Sequence, residues 1–152
     1  GLSVQDAIAT VERLIPETRT YGLLKDLRFA VRGGRVPRWV KTIADLLRAT
    51  AIIRTVPDGR VASGTFLFGR KHRIRRFARY VARKTPPAES LDMAIGHAVC
   101  REDAVALERE LRRYFDNIHR TTITDIGAAL GVHGGPGTLI VATQPYSRPT
   151  VS

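Results

Sequence analysis

A chain of 152 residues with 43% hydrophobic and 26% charged side chains has the size and balance of one globular domain, large enough to form a core without disulfides or metals. Its apolar runs fall far short of the ~20 residues that a membrane-spanning helix requires, so no transmembrane helix is expected. Lysine and arginine number 25 against 14 aspartates and glutamates, a net charge of +11 that favours anionic partners, although an arginine-rich coding bias would produce the same excess with no partner at all.

Ser3, with Asp6 three residues later, marks a helix start, and Val4, Ala7, Ile8, Val11 and Leu14/Ile15 continue a helical stripe that Pro16 closes. A short segment around Thr20–Leu23 follows. Leu24–Arg32 reads as a helix stopped by Gly33-Gly34, where a glycine at C′ supplies the left-handed turn. Pro37 suits the first turn of the next helix, with Val40, Ile43 and Leu47 as its apolar face. Ala51–Val56 and Arg60–Phe68 are strand-like on either side of Pro57-Asp58-Gly59, which predicts a β-hairpin. The chain then alternates: a basic helix at Arg70–Lys84, a strand at Leu91–Val99, and a helix at Asp103–Ile118 with Leu107, Leu111, Tyr114/Phe115 and Ile118 on one face. A strand at Arg120–Thr124, a helical turn at Asp125–Val132, a tight loop at His133–Gly137 and a last strand at Thr138–Thr143 complete it, before a loose tail. The pattern predicts a single α/β domain: a mixed, largely antiparallel sheet of about five strands covered by helices.

Within the basic helix, Ile74, Phe77, Ala78 and Val81 form one apolar face, and no acid occurs between Asp58 and Glu89. The remaining arginines are either a docking surface for phosphate, acidic protein or anionic lipid, or simply a solvated face. Aromatics do not interleave with them, and no helix-turn-helix, zinc-finger or RRM pattern is present. A basic nucleic-acid-binding module therefore stands as the alternative and not the first reading. His72, His97, His119 and His133 show no HxxxH spacing, so no metal site is expected, and His97 fits a satisfied core or edge position of a strand. The single Cys100 rules out an internal disulfide and suits a reducing, cytoplasmic compartment. The start Gly1-Leu2-Ser3 lacks an initiator Met and any signal-peptide character, as a processed chain or an excised fragment would.

Gly131-Val132-His133-Gly134-Gly135-Pro136-Gly137 fixes an irregular backbone around one imidazole, as a functional loop or as a tight turn that merely contains a histidine. No GxSxG elbow accompanies it and no Gly-Lys-Ser/Thr follows, so neither an esterase nor a P-loop NTPase is indicated. With no partnered nucleophile or carboxylate pair, the chain reads as a binding protein and not as an enzyme.

Taken with Gly33-Gly34-Arg35-Val36, that loop gives the chain a resemblance to the C-terminal domain of the DegV family of bacterial fatty-acid-binding proteins. The family pattern runs from a short helix ending in Gly-Gly-Arg-Ile, through a second helix and a Lys-Pro strand turning at Asp-Gly, to a basic helix and a His-Thr-Gly-Pro-Gly loop. Leu24–Val36, Asp58-Gly59, the helix from Arg70 and His133–Gly137 occur here in that order, across Arg19–Tyr146. Gly134 stands where the loop threonine is usual, and Ala51-Ile52 where Lys-Pro is usual.

The resemblance implies that residues 1–18 lead in from an N-terminal domain, that 19–146 form the DegV-like domain, and that 147–152 are tail. It implies a cytoplasmic carrier of a long-chain fatty acid, with no cofactor besides that lipid. Most of the acyl tunnel would lie in the N-terminal domain, and the carboxylate would be presented to a separate fatty acid kinase. By position, Arg35 and His133 are the carboxylate-side residues, supported by Gly33, Gly34, Gly134, Gly135, Pro136 and Gly137. Arg70, Arg73, Arg76 and Arg83 would face the kinase or an anionic membrane surface. The chemistry agrees, since a planar guanidinium offers two charge-assisted donors to a carboxylate and an imidazole one more.

Overall fold

Leu23 and Leu24 are neighbours in the chain, and both are buried, at 1% and 7% exposure. Adjacent side chains of a strand face opposite ways, so a segment buried on both sides lies inside a sheet with cover on each face. This strand is β1 (Arg19–Leu24), flanked by β2 (Ala49–Thr55) and β6 (Leu139–Pro145), both antiparallel to it. The computed structural model describes residues 3–56, 58–69 and 71–146. Among these the sheet has six strands in the order β3-β2-β1-β6-β4-β5, with β3 at Val61–Phe68, β4 at Leu91–His97 and β5 at Ile118–Asp125. Only β4 and β5 pair in parallel; the other four pairings are antiparallel.

The two sheet faces differ. On one, α4 (Arg73–Lys84) and α5 (Arg101–Leu111) lay Phe77, Ala78 and Val81 with Ala104, Leu107 and Leu111 over Leu23, Ile52, Ile95 and Val141. Phe77, Leu107 and Leu111 are fully buried, and each side chain of this size stabilises the fold by roughly 1.5–3 kcal/mol relative to exposure. On the other face, α3 (Arg38–Leu46) places Ala44 against Leu24, Leu27 and Ala51. Farther along that face Ala94, Thr122 and Thr124 are exposed. α1 (Val4–Leu14) opens on the expected capping box between Ser3 and Asp6, yet among the described residues its apolar stripe is largely uncovered: Val4 is 71% and Ile8 53% exposed. No helix among the described residues is long and apolar enough to cross a membrane.

Several boundaries differ from expectation, each for a local reason. Leu24 closes β1 instead of opening a helix, because its ladder with Ala51 outcompetes helical continuation; only Arg28–Arg32 is helical (α2). That makes Arg19–Leu24 a sixth strand. The basic helix starts at Arg73, after Gly69 and His72 both turn through positive φ. The helix expected to reach Ile118 stops at Leu111. Tyr114 and Phe115 fold back as amide donors to the Leu111 carbonyl, and Ile118 pairs with Leu91 in β5. Finally, α6 (Ala128–Gly134) takes His133 and Gly134 into its last turn, where a loop was expected. Pro57, Arg70 and the tail 147–152 lie outside the described residues.

Candidate functional site

α2 ends in a Schellman turn. Gly34, at φ +69, occupies C′, its N–H donates to Val31 O, and the Arg35 N–H donates to Ala30 O. Both Gly-Gly glycines thus have separate work. Gly34 supplies the left-handed turn, whereas Gly33 lies flat on a neighbour: a Cβ there would sit 2.3 Å from His133 Nδ1. The neighbour is α6, whose terminal Gly135 (φ +73) in turn packs on the Phe29 ring of α2, at 2.1 Å from a hypothetical Cβ. The Gly-Gly-Arg turn and the His-Gly-Gly-Pro-Gly segment, about 100 residues apart in sequence, therefore interlock through two backbone-on-ring contacts.

His133 Nδ1 is buried against Gly33 with no hydrogen-bond partner, which leaves Nε2 as the nitrogen able to meet a ligand. A buried polar atom without a partner calls for an explanation. Arg35 is exposed; among the described residues its side chain makes one long hydrogen bond, Nη1 to Gly33 O at 3.4 Å, and pairs with no carboxylate. Gly134 is pressed on Thr138, where a Cβ would meet Oγ1 at 2.8 Å, and Gly137 on Lys25, where it would meet Cδ at 2.5 Å. Phe29 carried no signal of its own in the sequence, although its i, i+4 spacing from Gly33 places both on one side of α2.

Of the arginines expected to dock a partner, Arg70 lies outside the described residues. Arg73 is half-buried and bonds Asp103 at 2.7 Å, and Arg76 donates to the Phe68 carbonyl. Arg83 is exposed, and with Arg75 and Arg79 it forms an exposed row at i, i+4, i+8 that spacing alone had not separated from the rest. His97 is a core residue at 4% exposure but not a satisfied one. Its Nδ1 stands 3.2 Å from Asp125 Oδ1 without forming a hydrogen bond, and Nε2 is also unpartnered. Among the described residues no cluster of His, Cys, Asp or Glu could hold a metal.

Beside the loop, burial pushes the Cys100 thiol above its ordinary range; a backbone hydrogen bond at Ala98 opposes this and the Asp103 carboxylate adds to it. A thiol whose folded pKa exceeds its unfolded value contributes stability that is complete below the unfolded pKa, ~8.5, and is lost as pH rises through the folded one. At pH 8 Cys100 should react with a disulfide reagent far more slowly in the folded chain than in urea. Equal rates would contradict its burial.

The sequence model for uncharacterised proteins of the DegV family matches residues 1–145. A DegV domain-containing protein of Deinococcus radiodurans is 29% identical over 150 residues, covering 97% of this chain and 52% of the relative. Its counterpart in Clostridium perfringens is 26% identical over 144 residues, covering 95% and 50%. The chain thus spans about half the length of the curated relatives it matches. Among solved structures, a DegV protein of Ruminococcus gnavus, solved with vaccenic acid, superimposes with a TM-score of 0.77 at 24% identity, covering 93% of this chain and 50% of that one. One from Thermus thermophilus, studied for fatty acid binding, gives 0.78 at 19% identity, covering 96% and 52%. These structures share the fold described above, and with the family match over nearly its whole length the chain belongs to the DegV family.

Proposed function

We propose that this chain is the carboxylate-side half of a fatty-acid carrier, C-terminal to a domain that holds most of the acyl chain, and that it carries its ligand without transforming it. The observation behind this reading is the interlock of α2 with α6, which seals one face of His133 and leaves its Nε2, and an Arg35 guanidinium held only by one long bond to Gly33 O, at adjoining helix ends. A fatty acid headgroup needs just such donors. Relatives solved with vaccenic or heptadecanoic acid support the ligand class, and the span of half a relative supports the division of labour. The exposed stripe of α1 is the surface that would meet the preceding domain.

The test is fatty acid retention by the chain alone and joined to that domain. Weak or no binding alone and tight binding when joined is expected; strong saturable binding by residues 1–152 alone would put the cavity inside this domain and overturn the division.

The row Arg75, Arg79 and Arg83 is the proposed docking face for an acidic partner that receives the carboxylate, a fatty acid kinase being the partner expected. Rim charges act mainly on association rate and its salt dependence. Changing all three to Gln should slow association with such a kinase several-fold at low salt and leave the melting temperature unchanged. Unaltered association, or sequence-selective duplex binding that survives competitor DNA, would remove the docking role.

A further inference from the structure

A concavity borders the interlock, sharing Phe29 and Pro136 with it and otherwise built from different residues. Between α2, α3, the start of α4 and Pro136 opens a cleft of about 720 Å³, within the range typical of small-molecule sites. Its walls carry four cations, Lys25, Arg28, Arg48 and Arg73, and two acids, Asp26 and Asp45.

The acids are already engaged. Asp26 accepts from the Arg28 backbone N–H at 2.8 Å and from Arg28 Nε at 2.6 Å, and Asp45 pairs with Lys41 outside the wall. Burial works against the Asp26 charge, but these bonds outweigh it and hold the carboxyl below its usual range, so Arg28 stays anchored. Arg28 and Arg73 each keep guanidinium N–H groups beyond those used on Asp26 and Asp103. Lys25 and Arg48 have no carboxylate partner among the described residues. The cleft is thus left with uncompensated positive charge and unused donors.

Arg48 holds an unusual position. It follows α3 in the left-handed region at φ 49, a conformation that side chains other than glycine adopt at a cost. Its backbone is fixed on both sides, donating to Asp45 O and accepting from Gly69 N–H. A glycine would suit the turn better, so the guanidinium is the one feature this position gains from arginine. Lys25 in turn lies along Gly137, where any side chain would collide with its stem. Thr50, with a buried hydroxyl-bearing side chain, completes the polar wall.

We propose that this cleft binds a small soluble phosphate-bearing anion. Six of the lining side chains are charged, against Phe29, Ala44, Ala49 and Pro136, so hydrocarbon finds little complement there. A single carboxylate would leave several donors unused, whereas phosphate oxygens accept from many at once. The site goes beyond the fatty-acid reading and stands or falls apart from it.

The probe is inorganic pyrophosphate, titrated into the chain at low ionic strength and followed by calorimetry or phosphorus NMR. One-site saturable binding is expected, weakened at least tenfold by Lys25→Met and by Arg48→Gly. Arg48→Gly should also keep or raise the melting temperature, since glycine adopts that turn without strain, so its loss of binding cannot be a loss of fold. Arg54→Gln, removing an exposed cation elsewhere, should change nothing. No saturable binding, or equal weakening by Arg54→Gln, would reduce the effect to the field of a basic protein and overturn the site. Arg48-dependent binding to phosphatidate-containing vesicles with no response to pyrophosphate would overturn it in favour of a lipid headgroup.

Discussion

Replacing Gly135 by alanine is expected to destabilise the chain by about 4 kcal/mol, the sum of two independent costs. Gly135 holds φ 73 and ψ 174, a region essentially restricted to glycine, and occupying it with a side chain costs of order 1–3 kcal/mol. The new Cβ would also stand 2.1 Å from Phe29 Cδ2 and 2.5 Å from Cγ, close to the base of the ring, so the whole side chain would have to shift, and such overpacking costs typically 1–3 kcal/mol. At about 2–4 °C per kcal/mol for a chain of this size, the melting temperature should fall by roughly 10 °C. Gly131→Ala is the control. It lies within α6, the helix that Gly135 caps, with nothing within 4 Å of its Cβ, so helix propensity alone should stabilise it, by up to about 1 kcal/mol. A loss below about 1 kcal/mol in Gly135→Ala would mean that Phe29 and the loop are not packed as described.

Periodicity located most elements because most have one buried side. Phe77, Ala78 and Val81 on α4, and Leu107 and Leu111 on α5, repeat at helical spacing and are the residues that cover the sheet. It failed where burial is two-sided. Residues 21–24 are all buried, so the end of β1 shows no alternation, and spacing cannot distinguish Leu23-Leu24 from the start of a helix. At the end of α5, Tyr114, Phe115 and Ile118 continue a helical stripe on paper. A tertiary tie decides against it: Asn117 Nδ2 donates to Ala88 O at 2.6 Å while Asn117 O accepts from the Leu91 amide, locking the turn to the start of β4. For α1 the reverse holds. Its stripe is legible and its helix is present, but among the described residues the stripe is left uncovered.

The candidate site was legible as two glycine motifs, and the reason for each glycine was only partly so. A left-handed C′ glycine is a local requirement, and Gly34 meets it. Gly137, at φ 85, meets the same left-handed requirement and also lies against Lys25. Gly33 and Gly134 are required by what lies over them, His133 and Thr138, and no local rule names those neighbours. The basic helix misled for a similar reason: charge along the sequence did not separate Arg73 and Arg76, tied to Asp103 and Phe68, from the exposed row at Arg75, Arg79 and Arg83.

Arg35→Ala should abolish most fatty acid retention while leaving the fold intact, measured on the chain joined to the proposed preceding domain. Removing a charged donor from a buried carboxylate costs about 2–5 kcal/mol, and at ~1.4 kcal/mol per decade that is a loss of affinity of roughly 30-fold or far more. The turn at the end of α2 does not depend on that side chain, since the Arg35 backbone N–H, retained in alanine, is what bonds Ala30 O. The side chain is exposed, so the melting temperature should move by no more than about 0.5 kcal/mol allows. Gly33→Ala approaches the same carboxylate from the other side. Its Cβ would displace His133 from 2.3 Å, so retention should fall even though Arg35 is untouched, and here stability should fall as well. His133→Gln keeps a donor without the ring and should retain more ligand than His133→Ala. If Arg35 is only the residue that follows a helix cap and His133 only a buried ring in a turn, Arg35→Ala will hold its fatty acid as the wild type does. Gly33→Ala would then lose stability without a specific loss of ligand, and that pair of results would end the assignment of this site.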